Sequence, residues 1–411
     1  MKNKLPDWLD PIPLAAKSRG ASERDVLAAL GSEAPGLAGL AALLSPAADR
    51  HIERIARRAL DITRRHFGRT ISLYIPLYLS NYCSSGCAYC GYAADRKYPR
   101  RRLDPEMMAS EMEALRRMGF EEILLLTGER TPQADYNYVR QAVAMAAEKF
   151  QMVTVETFPM SVAEYKGLAG AGCAGITIYQ ETYDPAVYAK VHRWGPKRDF
   201  MHRLETPARA LEAGMRFAGL GALLGLADPV TEAIALFRHV ERLRREYWQA
   251  GFSISFPRIR PQAGGFAPSN PVEDLFMAKM IFALRICLPE VHLVLSTRES
   301  PKFRDGVAGI GITKMSIASR TTVGGYRRRQ QAETGQFDVA DTRSLEAFQG
   351  ALRGKGLQAV FKNWDISFSP ARKPGALPGP PPGPRPVRPA RRSGRSPSGA
   401  PRARDGSRSR R

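Results

Sequence analysis

The sequence predicts an α/β protein whose main part is a closed (β/α)8 barrel of the TIM type. Eight short runs of β-branched and apolar residues alternate with segments that have helical spacing. This alternation indicates a parallel sheet, and eight units are the number that closes such a barrel. Polar residues also gather just after the strands, where barrel enzymes place their sites. An open sheet of eight strands remains an alternative, but no G-x-G-x-x-G follows the first strand.

The chain of 411 residues divides into three parts: a helical extension (1–70), the barrel (71–367) and a disordered basic tail (368–411). Its hydrophobic content of 44% is enough to form a core. In the extension, Ser22 is predicted to cap one helix. Ser45, followed by a proline, is predicted to cap another, which is amphipathic because its apolar residues recur at helical spacing: Ile52, Ile55, Ala59 and Ile62.

The elements of the barrel follow from the same patterns. The predicted strands lie at 71–79, 122–127, 152–157, 175–180, 216–223, 252–257, 291–297 and 314–319. A helix is predicted to begin at Asp104-Pro105, and further helices at 136–149, 161–170, 199–213, 229–249, 271–287 and 301–308. Distinctive polar residues follow strands one, two, four, six, seven and eight, so we expect them at one rim.

The net charge of +22 suggests a nucleic-acid partner, but half of it comes from residues 371–411, which cannot form a core. That tail is either a solvated extension or a weak electrostatic tether to RNA, DNA or an acidic partner. Basic residues elsewhere are not interleaved with exposed aromatics, so nucleic-acid binding is not expected. No run reaches the roughly 18 apolar residues of a membrane span. Five cysteines, an odd number, fit a reducing cytoplasm.

Three of these cysteines fall in the stretch NYCSSGCAYCGY, directly after the first strand. Cys83, Cys87 and Cys90 have C-x3-C-x2-C spacing, whereas Cys173 and Cys287 lie far away in the sequence. Structural zinc needs four ligands, usually as two pairs. A [4Fe-4S] cluster can be held by three cysteines, which leaves one iron open for another ligand. The spacing therefore favours a cluster with an open iron over a structural zinc site.

This motif, with an aromatic residue before its last cysteine, resembles the signature of the radical S-adenosylmethionine (SAM) superfamily. The resemblance implies that the open iron binds SAM and that reductive cleavage of SAM yields a 5′-deoxyadenosyl radical. It also implies SAM-binding roles for five residues. Tyr89 would lie against the adenine, Gly128 and Glu129 would meet the ammonium group, Glu181 would bind the ribose and Arg203 the carboxylate. Each charged member could instead be an ordinary surface residue.

A wider resemblance covers about residues 50–367. The segments IPLYLSNYCSSGCAYCGY, MGFEEILLLTGER, YQETYDPAVY, DFMHRLETP, YWQAGFSISFPRIRP and LSTRESPKFRD are similar to those of the 2-iminoacetate synthase family. The resemblance implies cleavage of the Cα–Cβ bond of L-tyrosine, with 2-iminoacetate (dehydroglycine) and p-cresol as products. The imine would supply the thiazole ring of thiamine. The implied partners are a thiazole synthase with its sulfur-carrier protein and a reducing flavodoxin or ferredoxin.

A free amino acid brings a carboxylate that requires a cation. Arg298, after the seventh strand, is the first candidate, and Arg258 and Arg260 compete with it. Ser319, at the end of the eighth strand, could also bind the carboxylate. Alternatively, Arg298 could pair with Glu299 or Asp305.

Besides another radical SAM enzyme that cleaves tyrosine for a different acceptor, two other functions remain open at this stage. The first is the related tyrosine lyase of hydrogenase maturation, which carries further cysteines for a second cluster. No cysteine follows Cys287 in this sequence, which disfavours that reading. The second is a nucleic-acid-binding protein with a structural cluster, for which arginines after Ala56 and in 96–102 give weak support.

Overall fold

Eight parallel strands close into a barrel in the computed structural model, as predicted. The strands are β1 (Thr70–Tyr78), β2 (Glu122–Leu126), β3 (Met152–Glu156), β4 (Gly175–Glu181), β5 (Phe217–Ala222), β6 (Gly251–Ser255), β7 (His292–Leu295) and β8 (Lys314–Ser316). Closure comes from β1, which pairs with β2 through Ile75 and Ile123 and with β8 through Leu73 and Met315. Both faces of the strands are largely buried, as expected where helices cover a parallel sheet.

The structure describes residues 5–327 and 335–361, which all fall in one structural unit, Met1–Arg372. The predicted tail (368–411) and the end of the predicted barrel (362–367) lie outside the described residues. A ninth strand was not predicted: β9 (Gln358–Val360) pairs in parallel with the first residues of β1. It has only three residues, too few for a sequence pattern to show.

Helices surround the barrel and form the extension before it. They are α1 (Ile12–Arg19), α2 (Glu23–Gly31), α3 (Gly36–Leu43), α4 (Ile52–Phe67), α5 (Pro105–Arg117), α6 (Tyr136–Ala147), α7 (Val162–Ala171), α8 (Pro185–Val191), α9 (Phe200–Leu204), α10 (Thr206–Glu212), α11 (Pro229–Glu246), α12 (Asp274–Cys287), α13 (Pro301–Val307) and α14 (Leu345–Gly354). The predicted helix 199–213 is in fact two helices, α9 and α10, and α8 and α14 were missed. None of the described helices combines the length and apolar character that crossing a bilayer demands.

The extension packs on the barrel through α3 and α4, which contact α12. Ser22 caps α2 as predicted, in a reciprocal arrangement with Asp25. Ser45 does not cap a helix through its side chain, and Pro46 begins a short 3-10 helix instead of α4. The Ser45 hydroxyl is buried without a described hydrogen-bond partner, whereas its carbonyl accepts from Lys279 Nζ on α12 at 3.0 Å. The tighter 3-10 helix occupies residues 46–51 before α4 begins.

Candidate functional site

The three motif cysteines lie on an irregular loop between β1 and α5, at the carboxyl end of the barrel. Cys87 is buried, whereas Cys83 and Cys90 keep some exposed surface. The backbone N–H of Glu129 donates to Cys83 Sγ at 3.4 Å, and that of Tyr92 donates to Cys90 Sγ at 3.4 Å. N–H groups directed at sulfur favour its negatively charged form and tune a bound cluster. Two of the three sulfurs of the loop thus accept a backbone N–H.

Arg100, itself part of this loop, stabilises the conformation of the loop. Its guanidinium donates to four backbone carbonyls at 2.5–3.3 Å, those of Asn81, Tyr92, Ala93 and Arg96. Backbone of irregular structure needs such partners when secondary structure cannot supply them. Arg100 belongs to the basic run 96–102, one of the two features that suggested nucleic acid. Its role in the loop accounts for part of that run without a phosphate partner.

The donor set fits a cluster better than a single metal ion. Among the residues that the structure describes, no three His, Cys, Asp or Glu side chains are arranged to hold one ion. The cysteines of a cubane bind three different irons, so their sulfurs stand farther apart than around one ion. Burial raises the pKa of Cys83 to about 11, with Cys90 and Glu129 adding to the effect. Cationic irons would offset that cost and favour the thiolates.

Gly128 lets the loop after β2 approach the cysteine loop closely. A Cβ atom at this position would lie 2.5 Å from the carbonyl oxygen of Tyr82 and 2.7 Å from Cys83 Cβ. Such contacts are too short for any side chain without a shift of the backbone. The close approach places Glu129 next to Cys83. The structure therefore brings Gly128 and Glu129, both predicted site residues, to the cysteine loop.

Two carboxylates and two cations form a buried chain beside the cysteines. Arg203 Nη1 lies 2.9 Å from Glu129 Oε1, and its Nη2 lies 3.9 Å from Glu181 Oε1. Lys197 Nζ lies 2.6 Å from the same Glu181 oxygen. Although burial lowers the pKa of Arg203, Glu129 raises it above its ordinary value. These ion-paired side chains can exchange partners with a ligand that carries both an ammonium and a carboxylate group.

Tyr89 is fixed by a buried histidine. Its hydroxyl lies 2.8 Å from His192 Nε2, and His192 Nδ1 lies 2.9 Å from the Tyr188 carbonyl oxygen. Since Nδ1 faces an acceptor, it carries the proton, and Nε2 accepts from Tyr89. Burial lowers the pKa of His192 to about 2, so the ring stays neutral. Lys197 Nζ lies 5.6 Å from the centre of the Tyr89 ring, within the range of a cation–π contact.

Two site positions have unusual backbone conformations. Glu181 has a φ of 70° where the pairing of β4 with β5 shifts by one residue, and Ala318, just before Ser319, has a φ of 54°. Left-handed backbone at residues other than glycine costs about 1–3 kcal/mol and clusters at functional sites. Here it occurs at Glu181 and next to Ser319, which are two of the predicted ligand-binding residues.

A cavity of about 830 Å³, counting its open mouth, joins the cysteine loop to the barrel interior. The residues that line it include Tyr89, Cys90, Glu181, Arg298 and Ser319. Much of its remaining wall is aromatic and apolar, with Tyr74, Pro76, Tyr78, Leu124, Leu126, Tyr179, Leu223 and Phe337. Two of the predicted SAM-binding residues, Tyr89 and Glu181, and two of the predicted substrate-binding residues, Arg298 and Ser319, therefore line one cavity.

Arg298 is available to a substrate anion. In the ranges 5–327 and 335–361 it pairs with no carboxylate, and its guanidinium carbon lies 3.3 Å from the centre of the Phe337 ring. The suggested pairings with Glu299 and Asp305 are wrong, because those residues bind Arg258 and Arg343 instead. Ser319 lies on the loop beyond β8, and its buried Oγ has no described hydrogen-bond partner. Both groups thus face the cavity without an internal partner.

Arg258 and Arg260, the competing candidates, do not line this cavity. Arg258 is bound by Glu299 on one side and by Asp274 at 2.7 Å on the other. Its charge is therefore already neutralised within the protein. Arg260 is partly buried, and its buried Nε has no described hydrogen-bond partner. The lining of the cavity therefore distinguishes Arg298 from these two arginines. The sequence alone could not make that distinction.

Sequence reasoning missed several lining residues, among them Glu156, Lys197 and Gln336. Glu156 ends β3, so the rule that drew attention to residues after the other strands applied to it as well. Gln336 donates from Nε2 to Cys90 Sγ at 3.7 Å and accepts from the Tyr78 hydroxyl at 2.8 Å. Lys197 and Gln336 lie far in sequence from their partners, and no local pattern marks them.

A parallel barrel with this cysteine loop and these rim residues defines a radical SAM enzyme. In agreement, residues 77–236 match the family model described as Radical SAM superfamily, and residues 255–358 match the Biotin and Thiamin Synthesis associated domain. The match begins in β1 and includes the whole cysteine loop.

The chain is 41% identical over 360 residues to the 2-iminoacetate synthase of Escherichia coli (strain K12), covering 87% of this chain and 94% of that protein. It is 40% identical, with the same coverage, to the 2-iminoacetate synthase of Salmonella typhimurium. It therefore belongs to the 2-iminoacetate synthase family. A crystal structure of HydG, a maturase of the [FeFe]-hydrogenase, superposes with a TM-score of 0.83 at 29% identity, covering 88% of this chain and 82% of that one.

Proposed function

We propose that this protein is a radical SAM carbon–carbon lyase that cleaves the Cα–Cβ bond of L-tyrosine. The products are 2-iminoacetate and p-cresol, and SAM is converted to 5′-deoxyadenosine and methionine. The observation that carries the proposal is that Cys90 of the cysteine loop lines the same cavity as Arg298 and Ser319, in a protein of this family. Its role is to supply the imine for thiazole formation in thiamine biosynthesis.

Cys83, Cys87 and Cys90 hold a [4Fe-4S] cluster, and SAM binds beside it. When bound, the cluster and SAM together supply a 5′-deoxyadenosyl radical that removes a hydrogen atom from the substrate. Tyr89 flanks the adenine, and the Glu129–Arg203–Glu181 chain receives the polar groups of SAM. Gly128 keeps Glu129 close to the cysteine loop.

The substrate is positioned by other residues that line the same cavity. Arg298 binds the tyrosine carboxylate, with Ser319 as a second donor, because neither has an internal partner there. The apolar wall packs on the substrate ring and excludes water from the reacting atoms. Such exclusion also protects the product, since an imine is readily hydrolysed.

The partners follow from the chemistry of the product and of the cluster. A labile imine requires an acceptor nearby, which we assign to a thiazole synthase working with a sulfur-carrier protein. Reduction of the cluster requires a donor of the flavodoxin or ferredoxin type. All five cysteines are free thiols, which supports a reducing, cytoplasmic setting.

The proposal is tested by anaerobic reconstitution with iron and sulfide, followed by SAM, a strong reductant and L-tyrosine. Mass spectrometry is expected to show p-cresol and 5′-deoxyadenosine in equal amounts. Cys87→Ala is expected to abolish both products, whereas Cys173→Ala, at a buried cysteine outside the loop, keeps them. Deoxyadenosine without p-cresol would exclude tyrosine as substrate. Carbon monoxide or cyanide among the products would favour the lyase of hydrogenase maturation instead.

A further inference from the structure

One carboxylate of the cavity has no role in the site as described so far. Glu156, the last residue of β3, lines the cavity together with Arg298 and Glu181. Its backbone carbonyl accepts from Thr127 at 3.3 Å, but its side chain has no hydrogen bond or ion pair with any described residue. By contrast, Glu181 is paired with Lys197. A carboxylate inside a cavity is costly without a partner, which suggests that a ligand provides one.

The groups around Glu156 explain the pKa of its carboxyl in the free protein. Burial and the negative charge of Glu181 raise the pKa of Glu156 to about 7. The cations that oppose this effect are Arg298, Lys197 and Arg203, and the phenols that face it are Tyr74, Tyr78 and Tyr179. Two of these cations already form ion pairs, Lys197 with Glu181 and Arg203 with Glu129. Glu156 thus lies among positive groups that are largely engaged elsewhere.

An amino acid whose carboxylate lies on Arg298 must place its ammonium group within the same cavity. Of the carboxylates that line the cavity, Glu156 is the one without an internal cation partner. An ammonium group would satisfy it, and the pair would then bury no net charge. The two ends of the zwitterion would be recognised by Arg298 and Glu156, with the side chain against the apolar wall.

We propose that Glu156 binds the α-ammonium group of the substrate and accepts one proton from it, so that the nitrogen is a neutral amine when its hydrogen atom is removed. The inference rests on the proposed function. In the step, R–NH3⁺ and Glu–COO⁻ become R–NH2 and Glu–COOH; one N–H bond breaks, one O–H bond forms, and no electron is gained or lost. A neutral amine has the lone pair that an imine product requires. A low-dielectric cavity favours the neutral pair over the ion pair.

The test measures binding without turnover. Reconstituted, oxidised holoenzyme with SAM and no reductant is titrated by calorimetry with L-tyrosine or with 3-(4-hydroxyphenyl)propionate, which lacks the amino group. Tyrosine binds the ionised form of Glu156, so its Kd should rise roughly tenfold from pH 8 to pH 6 for a carboxyl that titrates near 7. The ligand without an amino group should show no such weakening, because it does not need the ionised carboxylate.

Glu156→Gln should weaken tyrosine binding at pH 8 to about the wild-type value at pH 6, and the dependence on pH should disappear. The same variant should bind the propionate at least as well as wild type. Glu156→Asp, which keeps the charge on a shorter side chain, should retain the pH dependence with lower affinity. Glu148→Gln, at an exposed position just after α6, is the matched control and should behave as wild type. Iron content and the cluster spectrum establish that each variant is loaded.

Two outcomes would overturn the inference while leaving the tyrosine lyase function intact. Glu156→Gln could bind tyrosine with wild-type affinity and pH dependence, or it could lose affinity for both ligands equally. A different result would reach further, since wild-type protein that forms no complex with tyrosine would overturn the proposed substrate as well. With reductant present, Glu156→Gln should form 5′-deoxyadenosine at least about a hundredfold more slowly, the usual range for loss of a proton acceptor.

Discussion

At the scale of single residues, the arginines near the rim show that the partner, rather than the residue type, decides function. Arg258 and Arg298 carry the same group on neighbouring loops. Arg258 is held by Glu299 and Asp274, so a substrate anion would have to displace an existing ion pair. Arg298 lies on the face of Phe337 and keeps its hydrogen-bonding edge for a ligand.

Arg298→Lys should therefore weaken tyrosine binding selectively. Lysine keeps the charge but loses the two-pronged donor and the flat contact with Phe337. A hydrogen bond to a charged group contributes about 1.5–3 kcal/mol, so the KM for tyrosine should rise by about tenfold to a hundredfold. SAM binding should change little. Arg260→Lys is the comparison, and a KM increase as large as that of Arg298→Lys would contradict the assignment.

At the scale of elements, the rim is built by close approach of loops that lie far apart in sequence. The loop after β2 approaches the cysteine loop only because position 128 has no side chain. Glu129 then donates its backbone N–H to Cys83 and presents its carboxylate to Arg203. The absence of a side chain at Gly128 thus allows Glu129 to contact both the cysteine loop and Arg203.

Gly128→Ala should reduce the cluster content of the reconstituted protein more than its folding. The added Cβ would push the loop away from Cys83, and the N–H donor to sulfur would be lost. Iron analysis and the absorption of the cluster measure the effect, and circular dichroism checks the fold. Gly350→Ala in α14, where an added Cβ meets nothing within 4 Å, is the matched control. It should keep full cluster content and gain about 0.5–1 kcal/mol of stability.

Prediction from sequence worked where the signal is local. Buried parallel strands and capped helices have their own patterns, so the strand predictions overlap all eight barrel strands. It failed at two helix ends. The break between α9 and α10 has a local cause, Pro207 in the first turn of α10, which the prediction passed over. At Ser45 the side chain does not cap a helix, and the carbonyl binds Lys279, a residue distant in sequence. In the site, the spacing of the cysteines is visible in the sequence, whereas the pairing of Lys197 with Glu181 is not.

At the scale of the whole molecule, the helical extension packs on the barrel along one helix, α12. Lys279 on α12 is buried, with 5% of its side chain exposed, and it binds Asp49, whose side chain is 53% exposed. The pair joins α12 to the 3-10 helix Pro46–His51 of the extension. The Ser45 carbonyl is the second acceptor for the same ammonium group.

The two partners of this pair should differ in what their loss costs. Asp49→Ala leaves a buried ammonium with one carbonyl, so it should destabilise the protein by about 1–2 kcal/mol, less than for a fully buried pair because Asp49 is half exposed. Lys279→Met replaces the buried charge by an apolar chain and leaves Asp49 to water, so it should cost less. Asp61→Ala, at an exposed position of α4, should be close to neutral. Urea unfolding of the three variants measures the order, and a larger loss for Lys279→Met would show that the hydrogen bond to Ser45, rather than the buried charge, dominates this contact.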